Sequence, residues 1–496
     1  MRSRFFASRT AFGLAATLGL SAPLLASSGC SINAATGRLQ LTTVSESEEI
    51  RLGQQTNAEV VEGLGLYEDA ALTEMVERIG AELAAKSERS GLPWTFQILD
   101  EPAVNAFALP GGYIYVTRGL LAHLSSEDEL AAVLGHEIGH VTARHGVVQL
   151  RKSRVAAASV GVFRIVDPNL RHVGGFAAST ATLALLKHSR DDEYEADSLG
   201  LRYAGRAGYD RAATVGVFDV LAAVSGSEES ERVPTWLSTH PDPELRRDRV
   251  RSMVPGNGDT PGPDAEYLGK LRGLAYGPDP RKGFILGSTF IHPNRGFRID
   301  LPSGWEAAHQ GPRALASAQD ESALMMLAPA DAESAQAAYD AFFADGSVDR
   351  GEEWAGKVGG FDVVSAGFSI TGSDGTISGL LAFVDYDDEV MAMMALGPAD
   401  EWSKQSEVVA QTFASFRRVE PALKKIEPMR VQLAKVNEDT TLAEIEAAQP
   451  SSVDLAHVAL LNGVQPDAPL AAGTLIKRVE GFNPAQIQVE ASPEQQ

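Results

Sequence analysis

The hydrophobic and polar positions change their period several times along the chain, and each change predicts a different element. Two amphipathic helices are predicted between residues 44 and 87, because apolar residues recur there at helical spacing. Alternation over residues 94–99 predicts a strand. Residues 105–116 predict a hairpin, since two apolar runs flank the turn residues Pro110-Gly111-Gly112. A small sheet is therefore expected directly after the two helices.

A third helical pattern begins at Ser126, which with Glu129 has the spacing of a capping box. This helix carries His136, Glu137 and His140. The two histidines are one turn apart, so that both rings lie on one side of the helix and can bind one Zn²⁺. The apolar positions that anchor the helix share another face: Leu130, Val133, Leu134, Ile138 and Val141.

These three residue types at this spacing predict hydrolytic zinc chemistry. A zinc ion held by three protein ligands keeps one position for water and lowers the pKa of that water. Glu137 would take the proton from the water and pass it to the leaving amine. The alternative is a buried helix whose histidines only pack. A chance His-Glu-x-x-His is expected on the order of one per cent of the time in a chain with this histidine content, which favours the metal site.

A third ligand is expected from an acid or a histidine on another helix. Residues 188–197 predict such a helix, on which Glu193 and Asp197 are one turn apart. Glu193 is the candidate ligand, and Asp197 is the candidate acceptor for the N–H of a ligating imidazole. An acidic surface helix is the alternative. The two apolar segments within residues 155–186 are each shorter than the about twenty residues of a membrane span, which favours a buried or site-covering helical hairpin over a membrane-inserted one.

These motifs resemble one known family, the zinc metallopeptidases that include HtpX, the CAAX prenyl proteases and BepA. The resemblance covers roughly residues 44–252 and is strongest for the soluble periplasmic branch. It implies a mainly helical, zincin-like domain with one Zn²⁺ per chain held by His136, His140 and Glu193, and with Glu137 as general base. The motifs that carry it are His136-Glu137-x-x-His140, Ser189-Arg190-x-x-Glu193-x-x-Ala196-Asp197 and Asn105-Ala106-Phe107-Ala108-x-Pro110-Gly111-Gly112.

The resemblance also draws attention to Thr239-His240-Pro241-x-x-x-x-Arg246. His240 is expected either to contact zinc in a closed state or to stabilise the oxyanion. Arg246 is expected to pair with Asp197 or with the developing charge. The edge of the predicted strand at Asn105, Ala106, Phe107 and Ala108 is a candidate for binding a substrate peptide by strand pairing. A hairpin that only packs is the alternative.

The rest of the chain predicts two further units, so that the fold class is multidomain. Residues 255–283 predict a linker after the peptidase domain at 30–254, and residues 284–422 predict an α+β sheet domain. Residues 428–479 predict the order strand, helix, helix, strand and are similar to a LysM module, a family that binds cell-wall glycans. Glu438 stands where that family has Gly, which leaves protein docking or a spacer role open. The tail at 483–496 is expected to be disordered.

Composition and charge restrict the partners and the compartment. The net charge of −23 over 496 residues argues against nucleic acid and against an anionic membrane surface. Residues 1–29 predict a signal peptide, in which three arginines precede an apolar stretch. Cys30 is the only cysteine and follows directly, which favours lipidation over cleavage after Ser28. The protein is thus expected to be exported to the periplasm and anchored by lipid to the outer membrane of a Gram-negative bacterium.

The expected function is a zinc endopeptidase. The resemblance implies misfolded or stalled proteins of the cell envelope as polypeptide substrates. Two alternatives from other classes stay open at this point. One is an envelope chaperone or assembly factor with suppressed hydrolysis, and the other is a peptidoglycan-associated scaffold that acts through residues 428–479.

Overall fold

The structure is a computed structural model. The predicted signal peptide, helical hairpin and disordered tail lie outside the residues that it describes. Among the helices it describes, none has both the length and the apolar character that a membrane span needs. The described residues are 30–33, 35, 37, 39–41, 44–147, 188–225, 236, 239–240, 241–254, 256, 262–344, 346–372 and 375–482.

The first part of the described chain contains the two predicted helices and the predicted hairpin. The hairpin belongs to a three-stranded sheet with the order β3-β5-β4, in which β3 runs parallel to β5. This parallel pairing was not predicted. The elements are β1 (Cys30–Ile32), β2 (Leu39–Leu41), α1 (Glu46–Leu64), α2 (Ala70–Ala84), β3 (Thr95–Leu99), β4 (Ala106–Leu109) and β5 (Tyr113–Thr117).

Helices build the central part of the described chain. They are α3 (Arg118–His123), α4 (Glu127–Ala143), α5 (Arg190–Ala207), α6 (Ala213–Ser225), α7 (Pro243–Arg251) and α8 (Ala265–Lys270). Helix α4 starts as predicted, because the Ser126 hydroxyl accepts the N–H of Glu129 at 3.2 Å. The reciprocal half of the predicted capping box differs, since the Glu129 carboxylate accepts from the N–H of Ser125 at 2.6 Å.

Glycines let α4 and α5 approach each other closely. A Cβ built on Gly139 would lie 2.9 Å from the carbonyl oxygen of Ala196. A Cβ on Gly200 would lie 2.9 Å from the backbone nitrogen of His136. Real Cβ atoms do not come this near to backbone atoms, so side chains at these positions would force the helices apart. The contact brings the histidines of α4 next to the acids of α5.

Two antiparallel sheets follow, with the orders β12-β13-β14-β15-β11-β10-β9 and β16-β8-β7-β6. Helix α10 packs on them through buried Val409 and Phe413. The region is therefore α+β, as predicted. Its elements are β6 (Phe284–Leu286), β7 (Thr289–His292), β8 (Phe297–Asp300), β9 (Glu306–Gln310), β10 (Arg313–Ser317), β11 (Leu324–Ala330), α9 (Ala335–Phe342), β12 (Asp349–Val358), β13 (Phe361–Gly372), β14 (Gly375–Tyr386), β15 (Glu389–Pro398), α10 (Ala399–Ala414) and β16 (Arg417–Arg418).

The C-terminal module has the predicted order strand, helix, helix, strand, with β17 antiparallel to β20. A short strand pair between β18 and β19 was not predicted. The likeness to LysM stays a prediction. The elements are β17 (Arg430–Lys435), β18 (Thr440–Thr441), α11 (Leu442–Ala448), α12 (Leu455–Asn462), β19 (Pro469–Leu470) and β20 (Leu475–Glu480).

This module shares a hydrophobic core with α2, α4 and the segment around α8. Within the predicted linker, Tyr267 and Leu271 are buried in that core. The backbone N–H of Val431 donates to the carbonyl of Leu274 at 2.8 Å. The buried Nζ of Lys477 donates to carbonyls at the end of α3, at 2.8 Å to Ala122 and 2.9 Å to Leu124. The module is thus bound to the segment that directly precedes α4. The predicted domain boundaries stay predictions.

Candidate metal centre

The two histidines of α4 face each other as their spacing predicts. The Nε2 atoms of His136 and His140 are 3.0 Å apart, and both side chains are buried. This geometry arises because His136 and His140 lie one turn apart on the buried side of α4. Two ring nitrogens therefore point at one place in the interior.

Helix α5 brings Glu193 to the same place. Its start is fixed by a capping box between Ser189 and Asp192. Glu193 Oε2 lies 3.5 Å from His136 Nε2, and Oε1 lies 3.4 Å from His140 Nε2. Burial alone would raise the pKa of Glu193, but the neighbouring His240 and Arg246 hold this pKa well below its usual range. Glu193 is thus a buried carboxylate that stays ionised.

His240 is the fourth member of the cluster. Its Nδ1 lies 3.0 Å from Glu193 Oε1 and 3.4 Å from His136 Nε2. Its ring stacks on Trp236 with 4.2 Å between the ring centroids, which holds it in place. The ligand atoms of His136, His140, Glu193 and His240 all lie within 4.8 Å of one another.

Asp197 and Arg246 support the cluster from the side. Asp197 Oδ1 lies 3.0 Å from Nδ1 of His136. An N–H at Nδ1 that donates to Asp197 leaves the Nε2 lone pair directed at the cluster. Arg246 is buried and donates to both Asp197 oxygens, at 2.7 and 3.0 Å, and its Nη1 lies 2.5 Å from Glu193. The structure thus pairs Arg246 with Asp197, which is one of the two expected partners.

Glu137 lies beside the cluster and is almost completely buried. Its Oε1 is 3.7 Å from His240 Nε2 and has no hydrogen-bond partner within the part of the chain that the structure describes. Burial raises the pKa of Glu137, although His240 and His136 oppose this rise. A carboxylate with a raised pKa is suited to act as a general base near neutral pH.

The donor set fits a zinc ion. Three imidazole nitrogens and one carboxylate oxygen are the ligand types that Zn²⁺ prefers, and four is its usual coordination number. The buried Oε1 of Glu137, which has no hydrogen-bond partner among the described residues, fits a base that faces a metal-bound water. His136, His140 and Glu193 could hold the ion, and His240 is within reach as a further ligand.

Two histidines next to His140 were missed by the sequence reasoning. Nδ1 of His140 lies 2.9 Å from Nδ1 of His145, and the ring of His188 stacks on His140 at 3.9 Å. His145 lies beyond the end of α4, where Arg144 has a positive φ of 63° and turns the chain back. Helical period carries no signal for such a contact.

The predicted substrate strand lies close to the cluster. Asn105 is buried, and its Oδ1 has no partner among the residues that the structure describes. Ala106 and Phe107 are buried and Ala108 is half-buried. A cavity of about 10 Å³ between β4 and the end of α4 is lined by Ala108, His140 and His188, among others.

Cys30 lies in β1, where it pairs with Leu41 of β2. The described backbone places it at the start of this short strand pair. Lipidation of Cys30 stays a prediction.

Comparisons with known proteins match this region. Residues 70–254 match the family described as peptidase family M48. The chain is 29% identical to the beta-barrel assembly-enhancing protease of Escherichia coli over 49% of this chain and 51% of that protein. It is 37% identical to the mitochondrial metalloendopeptidase OMA1 of Arabidopsis thaliana over 33% of this chain and 32% of that protein.

A third relative, the OMA1 metalloendopeptidase of Schizosaccharomyces pombe, is 31% identical over 44% of this chain and 64% of its own length. The chain therefore spans less than two thirds of each of these relatives. Among solved structures, cyanobacterial PsbP matches 27% of this chain at 11% identity with a TM-score of 0.23, which is too low to support an inference.

Proposed function

Residues 70–254 carry a peptidase family M48 domain, and on this premise we propose that the protein is a zinc-dependent endopeptidase. The observation that supports this most strongly is the buried convergence of His136, His140 and Glu193, with Glu137 beside them. A bound zinc ion would act as a Lewis acid on a peptide carbonyl and would acidify a water molecule.

The chain's own residues perform the remaining steps. His136, His140 and Glu193 would hold the metal, and Asp197 would fix the tautomer of His136 through the contact at Nδ1. Glu137 accepts a proton from the attacking water and returns it to the leaving amine, for which its raised pKa is favourable. Arg246 balances the charge of Glu193 and Asp197, so that two buried carboxylates can stay ionised side by side.

We further propose that His240 gates the site. Its Nδ1 lies among the ligand atoms, 3.0 Å from Glu193 and 3.4 Å from His136, and thus occupies space that a substrate carbonyl needs. Substrate enters once the loop that carries His240 moves. Under this proposal His240→Ala raises the rate of peptide cleavage. A loss of cleavage would instead assign His240 to stabilisation of the oxyanion.

Substrates are proposed to bind along β4. An extended peptide that pairs with the edge of residues 105–108 would pass the cavity between β4 and His140. The buried Oδ1 of Asn105, which has no partner among the described residues, offers an acceptor for a substrate N–H.

The substrate class and location are proposals that rest on the relatives. The name of the Escherichia coli relative refers to β-barrel assembly, which favours misfolded or stalled envelope proteins as substrates. This agrees with export to the periplasm of a Gram-negative bacterium and with a lipid anchor on Cys30 in the outer membrane. The module at 428–479 would then contact peptidoglycan or an envelope protein.

The test combines metal content with cleavage of an unfolded protein by the purified full chain. Glu137→Gln should bind one zinc per chain and cleave nothing, because the ligands stay and the base is lost. Glu127→Gln is the matched control, since Glu127 lies at the start of the same helix and pairs with Arg78 and Lys270. Cleavage by Glu137→Gln at the rate of the control would refute the proposed base.

A second candidate function is a chaperone with suppressed hydrolysis, and the position of His240 within the cluster favours it. Complementation of a deletion strain distinguishes the two functions. If Glu137→Gln restores envelope function as well as Glu127→Gln does, hydrolysis is dispensable and the chaperone is the better description. If only the control complements, the endopeptidase is supported.

A further inference from the structure

The nitrogen of His140 that faces away from the cluster begins a chain of hydrogen bonds. Its Nδ1 lies 2.9 Å from Nδ1 of His145. Nε2 of His145 lies 3.1 Å from Oε2 of Glu195. His140 and His145 are buried, and Glu195 is half-buried, so that the chain runs from the interior towards the surface.

Only one placement of the protons lets an ionised Glu195 complete this chain with neutral rings. A carboxylate accepts, so Nε2 of His145 carries the hydrogen and donates to Glu195. Neutral His145 then accepts at Nδ1, and the Nδ1–H of His140 donates to it. Nε2 of His140 is left with a free lone pair, and this atom lies 3.0 Å from His136 Nε2 and 3.4 Å from Glu193.

The local backbone holds His145 where this chain requires it. Helix α4 ends at Ala143, and the left-handed conformation of Arg144 turns the following residue back towards His140. Arg144 is itself anchored, because its Nη2 donates to the carbonyl of Val44 at 2.7 Å and lies 3.0 Å from the buried Glu49. The position of His145 is therefore set by a fixed helix end.

The arrangement parallels the one at His136. Asp197 contacts Nδ1 of His136 directly, whereas the corresponding nitrogen of His140 is linked to a carboxylate through His145. Helix α5 supplies both carboxylates, Asp197 and Glu195, as well as Glu193. One helix thus offers a ligand and the orienting acid for each of the two histidines.

We propose that His145 and Glu195 are positioning residues that hold His140 in the tautomer able to bind the metal. The proposal rests on the zinc-binding function proposed above. Because His145 donates to Glu195 from Nε2, it accepts at Nδ1 and keeps the hydrogen of His140 on Nδ1. Loss of either residue allows the hydrogen of His140 to move to Nε2. Metal binding must then first reverse that tautomer, which lowers the affinity.

The test measures zinc affinity of the full chain by competition with a chromophoric chelator, and the visible absorption spectrum of the Co²⁺ form. Glu195→Gln keeps the size but adds an amide donor, which removes the fixed direction of the protons. His145→Phe removes the acceptor and keeps the ring, and His145→Asn keeps an acceptor. Asp191→Asn is the matched control, because Asp191 is an exposed acid one turn earlier on the same helix.

Glu195→Gln and His145→Phe should weaken zinc binding by about 10- to 100-fold and alter the Co²⁺ spectrum. His145→Asn should recover part of the affinity lost in His145→Phe, and Asp191→Asn should match the parent protein. Unchanged affinity and spectrum in both Glu195→Gln and His145→Phe would overturn the proposal. A Phe variant that does not fold leaves Glu195→Gln to decide.

Failure of the proposed function gives a different pattern. In that case the parent protein itself binds no zinc, or it binds zinc while Glu137→Gln cleaves like the Glu127→Gln control. The first result overturns both proposals. The second leaves the metal site and its positioning residues in place and removes only the assigned base.

Discussion

Replacement of Gly139 by Ala tests whether the close contact of α4 and α5 sets the geometry of the metal site. The added Cβ would lie 2.9 Å from the carbonyl oxygen and 3.1 Å from the Cα of Ala196. Both are backbone atoms, which cannot rotate away. Ordinary contacts of a Cβ begin at 3.4 Å, so the helices must separate by about 0.5 Å.

Two effects of opposite sign decide the stability of this variant. Ala stabilises a helix interior by about 1 kcal/mol relative to Gly. Overpacking of a close contact costs about 1–3 kcal/mol. The expected net change is a loss of up to about 2 kcal/mol in the free energy of unfolding. The effect on metal binding is larger than the effect on stability, because a metal site must hold its geometry within about 0.5 Å. When the helices separate, α5 moves Glu193 away from the histidines of α4. Zinc affinity should fall at least about tenfold.

The assay compares zinc affinity and thermal unfolding of Gly139→Ala with those of Gly205→Ala. Gly205 lies on α5, and the nearest atom to its added Cβ is Cδ of Arg211, at 3.0 Å, in a side chain that can move. The control should keep its zinc affinity and gain stability. If Gly139→Ala binds zinc as tightly as Gly205→Ala, the helix contact does not set the site.

Three further changes test other parts of the structure. Lys477→Met should lower the free energy of unfolding by about 2 kcal/mol in chemical denaturation, because buried carbonyls of Ala122 and Leu124 lose their donor; unchanged stability would refute a structural role for Lys477. Arg246→Met should lower the free energy of unfolding of the metal-free protein by about 3–5 kcal/mol, since it leaves the buried carboxylates of Glu193 and Asp197 without their cation. A loss smaller than about 1 kcal/mol in this free energy would contradict the reasoning. Burial raises the pKa of Glu101 to about 7, so that the folded protein holds a proton that the unfolded chain releases from about pH 4.5 upwards. Stability from this group is therefore lost as the pH rises from about 4.5 to 7, and Glu101→Gln should raise the melting temperature more at pH 8 than at pH 5; an equal gain at both values would contradict the raised pKa.

The sequence predicted those parts of the site that depend on local spacing. His136 and His140 meet because they are one turn apart on one helix, and the start of α4 follows from the Ser126 hydroxyl. The pairing of Asp197 with His136 also followed from helical spacing once Glu193 was chosen. Such contacts are visible in a sequence because the helix fixes the geometry.

Contacts between distant segments could not be predicted in this way. His145 reaches His140 because Arg144 adopts a left-handed backbone conformation. That conformation is uncommon for residues other than glycine, so the sequence does not predict it. Strand β12 is an exposed edge strand with charged residues on both faces, so its sequence lacks the apolar alternation that would predict a strand. The contact of Lys477 with α3 spans 355 residues, and no local pattern encodes it.

The packing of residues 430–480 on the core around α4 has a consequence for the order in which the parts of the protein fold. The sheets of residues 284–418 are interposed between two halves of one packing unit, since β17 bonds to the stretch around Leu274 and Lys477 holds the end of α3. Contacts of such long sequence separation form late, after the intervening chain has been made. During synthesis, the helix that carries His136, Glu137 and His140 therefore gains its full set of supporting contacts only after Lys477 has been added. A growing chain would therefore carry the proposed zinc site on an incompletely supported helix until residue 477 has been made.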